Sequence, residues 1–193
     1  RDILMIQTRA GAELINAGVA APQRPTGVEP GANVAFVHPL FDDSTWRQLD
    51  LPHDWAIEGP FDAAISPHQG SLPYFGVAWY RKHFSVPVTA RGRFHSIEID
   101  GAMSNSTVYL NGKELGGRPY GYIGFSFDLT PHLVYGGDNV LAVRLAPEPE
   151  SSRWYPGGGI YRHVRLVKTE PVRIAPWGVF VTTPAVSAES ARR

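Results

Sequence analysis

The chain has 193 residues, enough for one sizeable core, with 43% apolar and 19% charged residues and a surplus of turn formers in 20 glycines and 17 prolines. The 18 lysines and arginines balance 18 aspartates and glutamates, so no net field draws nucleic acid or an anionic membrane surface, and a neutral partner is favoured. The absence of cysteine excludes disulfides, thiolate chemistry and cysteine-ligated metal, and no apolar run is long enough to cross a bilayer.

Residues 1–35 read as an N-terminal arm and linker. The opening "RDILMIQTRAGAELINAGVAAPQ" resembles the remnant of a bacterial export signal in its Arg-Asp start and small-residue end, which would place the protein in the periplasm or outside the cell, with the cytoplasm as the alternative. Gln7, Arg9, Glu13 and Asn16 interrupt its apolar centre, so a short amphipathic helix or an unstructured arm competes with that reading. "APQRPTGVEPGA" then reads as linker.

Residues 36–170 read as one all-β domain. In "FDDSTWRQLDLPHDW", Asp43 or Ser44 is placed to cap a single helical turn. Strand-like runs follow from Val77: "VAWYRKHFSV", "FHSIEID", "STVYLNG", "FSFDLT", "NVLAVRLA" and "YRHVRLVK". Ile97 with Ile99, Val108 with Leu110, and Leu141 with Val143 and Leu145 keep the period of two that puts side chains on one sheet face. Asn111-Gly112 predicts a hairpin with a type I′ turn, whose two central residues need positive φ. Gly116-Gly117, Gly136-Gly137-Asp138 and Gly157 to Gly159 read as further turns. Short strands at this spacing, with no long helix among them, predict a jelly-roll β-sandwich. Residues 171–193 start a new strand pattern in "PVRIAPWGVFVTTPAV". They read as the opening of a second, truncated β domain or as a linker packing back on the first.

Aromatic and turn residues gather in "LPHDWAIEGPFD", "SLPYFGVAWYRKHF" and "SRWYPGGGIYR". Aromatic rings that stack on the C–H face of a sugar, beside polar groups for its hydroxyls, are what a neutral glycan requires. Trp46 and Trp79 lie in strand-like surroundings and read as core, and Trp55 suits core or site equally. Trp154 precedes Pro156 and three glycines, which predicts an irregular exposed loop where backbone and another surface approach closely. No lysine and helix start follow those glycines, so they are not a phosphate cradle. Asp42 and Asp43 read as caps, Glu148 and Glu150 as solvated, and Asp54 either as a positioned group or as a buried carboxylate bonding loop amides. No serine stands in a nucleophile elbow, and the seven histidines lack metal-ligand spacing, so neither a cofactor nor a metal is expected.

Taken in order, "FDDSTWRQLDLPHDWAIEGPFD", "GVAWYRKHFSVP", "IEIDGAMSNSTVYLNGKELGGRPYGYIGFSFDLTPHL", "DNVLAVRL" and "SRWYPGGGIYRHVRL" resemble the N-terminal sugar-binding domain of glycoside hydrolase family 2, of the bacterial β-galactosidase type, from about Phe41 to Lys168. The resemblance implies a galactose-binding-domain-like jelly roll followed by an immunoglobulin-like sandwich, to which residues 171–193 would contribute the first strand. It further implies a (β/α)8 barrel whose two catalytic glutamates lie beyond Arg193, so that no catalytic residue falls in this chain. The implied partners are a β-galactoside or other neutral glycan and the remaining domains of the same hydrolase, with homo-oligomerisation left open. β-Glucuronidase, β-mannosidase and a stand-alone carbohydrate-binding module are the alternatives. The resemblance points to Arg153, Trp154 and Tyr155, with His53, Asp54 and Trp55, as substrate-binding residues. Where some β-galactosidases carry an aspartate just before the loop tryptophan, this chain has Ser152 and Arg153.

Overall fold

The structure, a computed structural model, describes residues 3–9, 34–65, 67, 70–149 and 156–192. Among them run the strands β1 (Ile3–Arg9), β2 (Arg47–Asp50), β3 (Val77–Ser85), β4 (Phe94–Ile99), β5 (Ser106–Leu110), β6 (Lys113–Arg118), β7 (Phe125–Asp128), β8 (Asp138–Leu145) and β9 (Val164–Thr169). They form two antiparallel sheets, of order β2-β1-β3-β8-β5-β6 and β7-β4-β9, packed as the all-β jelly-roll sandwich that the turn spacing predicts.

Period-two alternation builds two cores. Tyr80, Val108, Leu110, Leu141, Val143 and Leu145 of the larger sheet face Ile97, Ile99 and Phe125 of the smaller one. The residues between them in sequence, Trp79, Tyr109 and Ala142, face the other way and pack against Val37 and Trp46. Phe36 meets Phe41, Trp46 and Trp79 edge-to-face, closing that second core with residues 34–46. Trp46 and Trp79 are thus core residues, as expected. Each side chain of this size taken out of water contributes about 1.5–3 kcal/mol.

One charge is buried beneath this cover. Arg81 has no solvent exposure. Its Nε donates to Asp43 Oδ2 at 2.7 Å, while Nη1 donates to the Phe36 carbonyl and Nη2 to that of His38 at 3.3 Å. Asp43 is therefore the counter-ion of Arg81 and not a helix cap, because a buried guanidinium left unpaired costs more than a cap returns. The local turn belongs to Asp42, whose Oδ1 accepts from the Ser44 amide at 3.0 Å. His83, further along β3, lies 3.2 Å from Asp43 Oδ2 and 2.6 Å from Asp138 Oδ2.

Asn111 and Gly112 both have positive φ and close the β5–β6 hairpin, with Leu110 opposite Lys113. Other segments depart from expectation. Ile3–Arg9 is a strand hydrogen-bonded between β2 and β3, where an arm was expected. "ILMI" lacks the period-two alternation by which the other strands are recognised in the sequence. Gly116 and Gly117 sit inside β6 beside a register shift, not in a turn. There a Cβ on Gly116 would strike the Phe127 ring, and one on Gly117 the Ser106 backbone. Residues 171–192 form no strand, although Ile174, Val179, Phe180 and Val181 keep a strand-like composition. A strand exists only within a ladder, and none of the described strands pairs with this segment, so its apolar side chains stand exposed. Arg173 anchors its start, with the guanidinium 3.3 Å above the Phe94 ring.

Replacing Asp43 by alanine strands Arg81 in the second core, and denaturant titration should show a loss of about 3–5 kcal/mol in unfolding free energy. Asp42→Ala removes one exposed turn hydrogen bond and should shift the same measurement by about 0.5 kcal/mol or less.

Candidate functional site

Two of the three aromatic segments meet at one end of the sandwich. His53 N–H donates to the Ile160 carbonyl at 2.9 Å and Trp55 N–H to the Gly158 carbonyl at 2.8 Å. The Asp54 carboxylate completes the clamp: Oδ1 accepts from Gly158 N–H at 3.0 Å and from Ala56 N–H at 2.9 Å, capping the 3₁₀ turn Trp55–Glu58. On the opposite side Gly159 exchanges two backbone hydrogen bonds with Met103, at 2.9 and 3.1 Å. The segment from Pro156 to Ile160 is buried in this double ladder, where an exposed loop was expected. The glycines serve close approach. A Cβ on Gly158 would fall within the Trp55 indole, and one on Gly159, at φ +148°, on the His53 carbonyl. Arg153, Trp154 and Tyr155 lie outside the described residues.

A line of hydrogen bonds runs behind the clamp. His53 is nearly buried, with Nδ1 2.8 Å from Tyr80 Oη and Nε2 3.2 Å from Glu58 Oε1. Glu58 accepts both Arg47 amino groups at 2.5 Å, a bidentate pair. Burial pushes His53 below its ordinary value against the opposing pull of Glu58, so the ring is neutral at pH 7. A carboxylate only accepts, so Nε2 carries the proton and Nδ1 accepts from the Tyr80 hydroxyl. Burial drives the Tyr80 phenol far upward, and a hydrogen bond from the Ile160 backbone opposes that shift. The Arg47 hydrogen bonds hold Glu58 below the usual carboxylate range.

These polar groups are engaged in holding structure. Asp54 is bonded to two amides and Glu58 to a guanidinium, and among the described residues no three His, Asp or Glu side chains converge to hold a metal ion. What the arrangement does is fix Gly158, Gly159 and Ile160 against the 53–56 turn and Met103. The sequence singles out His53, Asp54, Trp55 and the glycines at 157–159, but not the Arg47, Glu58 and Tyr80 side chains behind them. Tyr80 had a signal: alternation in "VAWYRKHF" sends Tyr80 and Trp79 to opposite faces, and a buried phenol needs a partner.

No family model matches the chain. Over 164 residues it is 51% identical to the β-galactosidase BoGH2A of Bacteroides ovatus, a match spanning 83% of this chain and 19% of that protein. Over 149 residues it is 34% identical to a β-glucuronidase of Formosa agariphila, spanning 69% of this chain and 15% of that one. The solved structure of a glycosyl hydrolase family 2 member from Bacteroides cellulosilyticus matches with a TM-score of 0.76 at 32% identity, covering 97% of this chain and 22% of that one. The chain thus spans about a fifth of the length of these relatives, or less.

The neutral His53 makes the clamp sensitive to acid. Its folded pKa lies below the unfolded value of about 6.5, so the stability it supplies is full above that pH and is lost as pH falls toward the folded value. Glu58, also lowered, adds a further loss below the ordinary carboxylate range. Urea titrations from pH 8 to 5 should show stability declining below about pH 6.5, and His53→Gln, which binds no proton, should flatten that decline. Gly158→Ala forces the Trp55 ring aside and should cost about 1–3 kcal/mol by the same titration at pH 7.

Proposed function

The chain belongs to glycoside hydrolase family 2, and on that premise we propose that it is the non-catalytic jelly-roll domain of a retaining β-galactosidase. In this reading it supplies one wall of a pocket in which a (β/α)8 barrel outside this chain hydrolyses terminal β-galactosides. The barrel's two glutamates carry out the covalent chemistry, and the jelly roll holds the sugar and excludes water. The observation that supports this reading is the clamp of His53, Asp54 and Trp55 on Gly158 and Gly159, which follow Arg153, Trp154 and Tyr155 in the sequence by a few residues. Trp154 then stacks on the C–H face of the galactose, Arg153 and Tyr155 donate to its hydroxyls, and Asp54 acts as a positioning residue behind them. The 51% identity to a β-galactosidase favours galactose. The β-glucuronidase relative supports a second reading, in which the same wall serves a uronic acid and a cationic group meets its carboxylate. An exported protein, in the periplasm or outside the cell, belongs to the main reading, and cell fractionation tests it.

The full-length natural protein should turn over an aryl β-galactoside with kcat/KM at least about tenfold above that for the aryl β-glucuronide. A reversed preference selects the second reading. Residues 1–193 alone should show no turnover. In the full-length protein, Trp154→Ala should raise KM for the galactoside by about two- to tenfold, the loss of one stacked ring. An unchanged KM with altered assembly would instead make the segment a docking element.

A further inference from the structure

Beside the clamp lies a second aromatic cluster that the pocket-wall reading does not use. The loop between β6 and β7 carries "PYGYIG" at 119–124. Tyr120 is 57% and Ile123 45% exposed. The Tyr120 and Tyr122 rings stand 5.4 Å apart, inclined at 55°. Tyr161, two residues past Gly159, donates its hydroxyl to the Gly121 carbonyl at 2.8 Å and carries the Arg162 guanidinium 5.2 Å from its ring centroid. Burial pushes the Tyr161 phenol up against the pull of Arg162, and Tyr122 and Tyr120 stand near enough to add to the push.

The cluster is continuous with the clamp. A Cβ on Gly121 would collide with Met103, the residue whose backbone pairs with Gly159, so both features rest on one loop. The hydrogen bond from Tyr161 to Gly121 ties the cluster to the chain leaving the glycines.

We propose that Tyr120, Tyr122, Tyr161 and Arg162 form an accessory shelf for a neutral glycan, holding a sugar unit of the substrate beyond the one that is hydrolysed. The inference rests on the pocket-wall reading, which brings a glycan to this end of the sandwich. The chemistry of the shelf suits a sugar better than a protein. Tyr120 offers a flat apolar face with a hydroxyl at its rim, the Tyr122 ring stands beside it, and the Arg162 guanidinium adds donors for sugar hydroxyls. The exposed stretch at 172–181, which also holds Trp177, is made mostly of the aliphatic and phenyl side chains of Val172, Ile174, Val179, Phe180 and Val181. Tyr120, the most exposed ring of the cluster, is the stacking platform.

The test uses the full-length protein and compares KM for an aryl β-galactoside, too short to reach the shelf, with KM for a β-galacto-oligosaccharide of three or four units. Tyr120→Ala should raise KM for the oligosaccharide by about three- to tenfold, leave kcat intact and leave the aryl substrate unaffected, and Tyr120→Trp should restore the oligosaccharide KM. An oligosaccharide KM unchanged within twofold overturns the shelf. So does an equal rise for both substrates, or a lower melting temperature with no change in KM, which would mean that Tyr120 packs against another domain. If the wild-type protein cleaves no β-galactoside, the galactosidase reading fails by itself. The shelf is then tested by saturation-transfer NMR of the same protein with neutral galacto-, gluco- and xylo-oligosaccharides. Saturation that disappears in Tyr120→Ala sustains the shelf, and none in the wild type overturns it.

Discussion

Strand β3 carries two polar tethers on adjacent residues that point to opposite faces of the sheet, and the rest of the domain is arranged around them. Arg81 reaches outward to Asp43 and to the carbonyls of Phe36 and His38, tying residues 34–46 down as a lid on the second core. Tyr80 reaches inward to His53, tying the clamp loop to the first core. Neither group can be buried unpartnered without several kilocalories of penalty, so each specifies one docking geometry for the loop it holds. Apolar contacts alone would tolerate sliding by a fraction of a residue. A guanidinium with three acceptors, or a phenol between a backbone amide and an imidazole, would not.

This division explains which parts of the molecule were readable from sequence. Ile97 and Ile99, Val108 and Leu110, and Leu141 to Leu145 declared their faces by period two, and Asn111-Gly112 declared its turn by backbone sterics, because both signals are local. The partners of Arg81 and Tyr80 are not local: Asp43 is 38 positions from Arg81, and His53 27 from Tyr80. A carboxylate at the start of a turn looks like a cap whether or not an arginine awaits it across the fold, and so Asp43 was misplaced. Ile3–Arg9 failed for a related reason, since "ILMI" keeps no period of two and the strands it pairs with, β2 and β3, lie far along the chain.

At the site the same limit applies in finer form. The three glycines announced close approach, but their sequence does not name the surface approached, and the answer is the indole of Trp55 and the backbone of His53. Asp54 shows the structural one of the two readings the sequence left open: its carboxylate bonds loop amides, those of Ala56 and Gly158.

The cover on both faces of the central strands also limits how the domain can meet its neighbours. Over β3, β5 and β8 one face is taken by the smaller sheet and the other by residues 34–46, which leaves of the larger sheet only its rims and the loops at its ends, beside the outer face of the smaller sheet. The rims resist company. β2 turns Arg47, Gln48 and Asp50 to solvent, and β6 does the same with Lys113, Glu114 and Arg118, side chains that discourage an incoming strand from adding to the ladder. Variation is thereby channelled into exposed positions of the end loops such as Tyr120 and Ile123, which lie outside both cores.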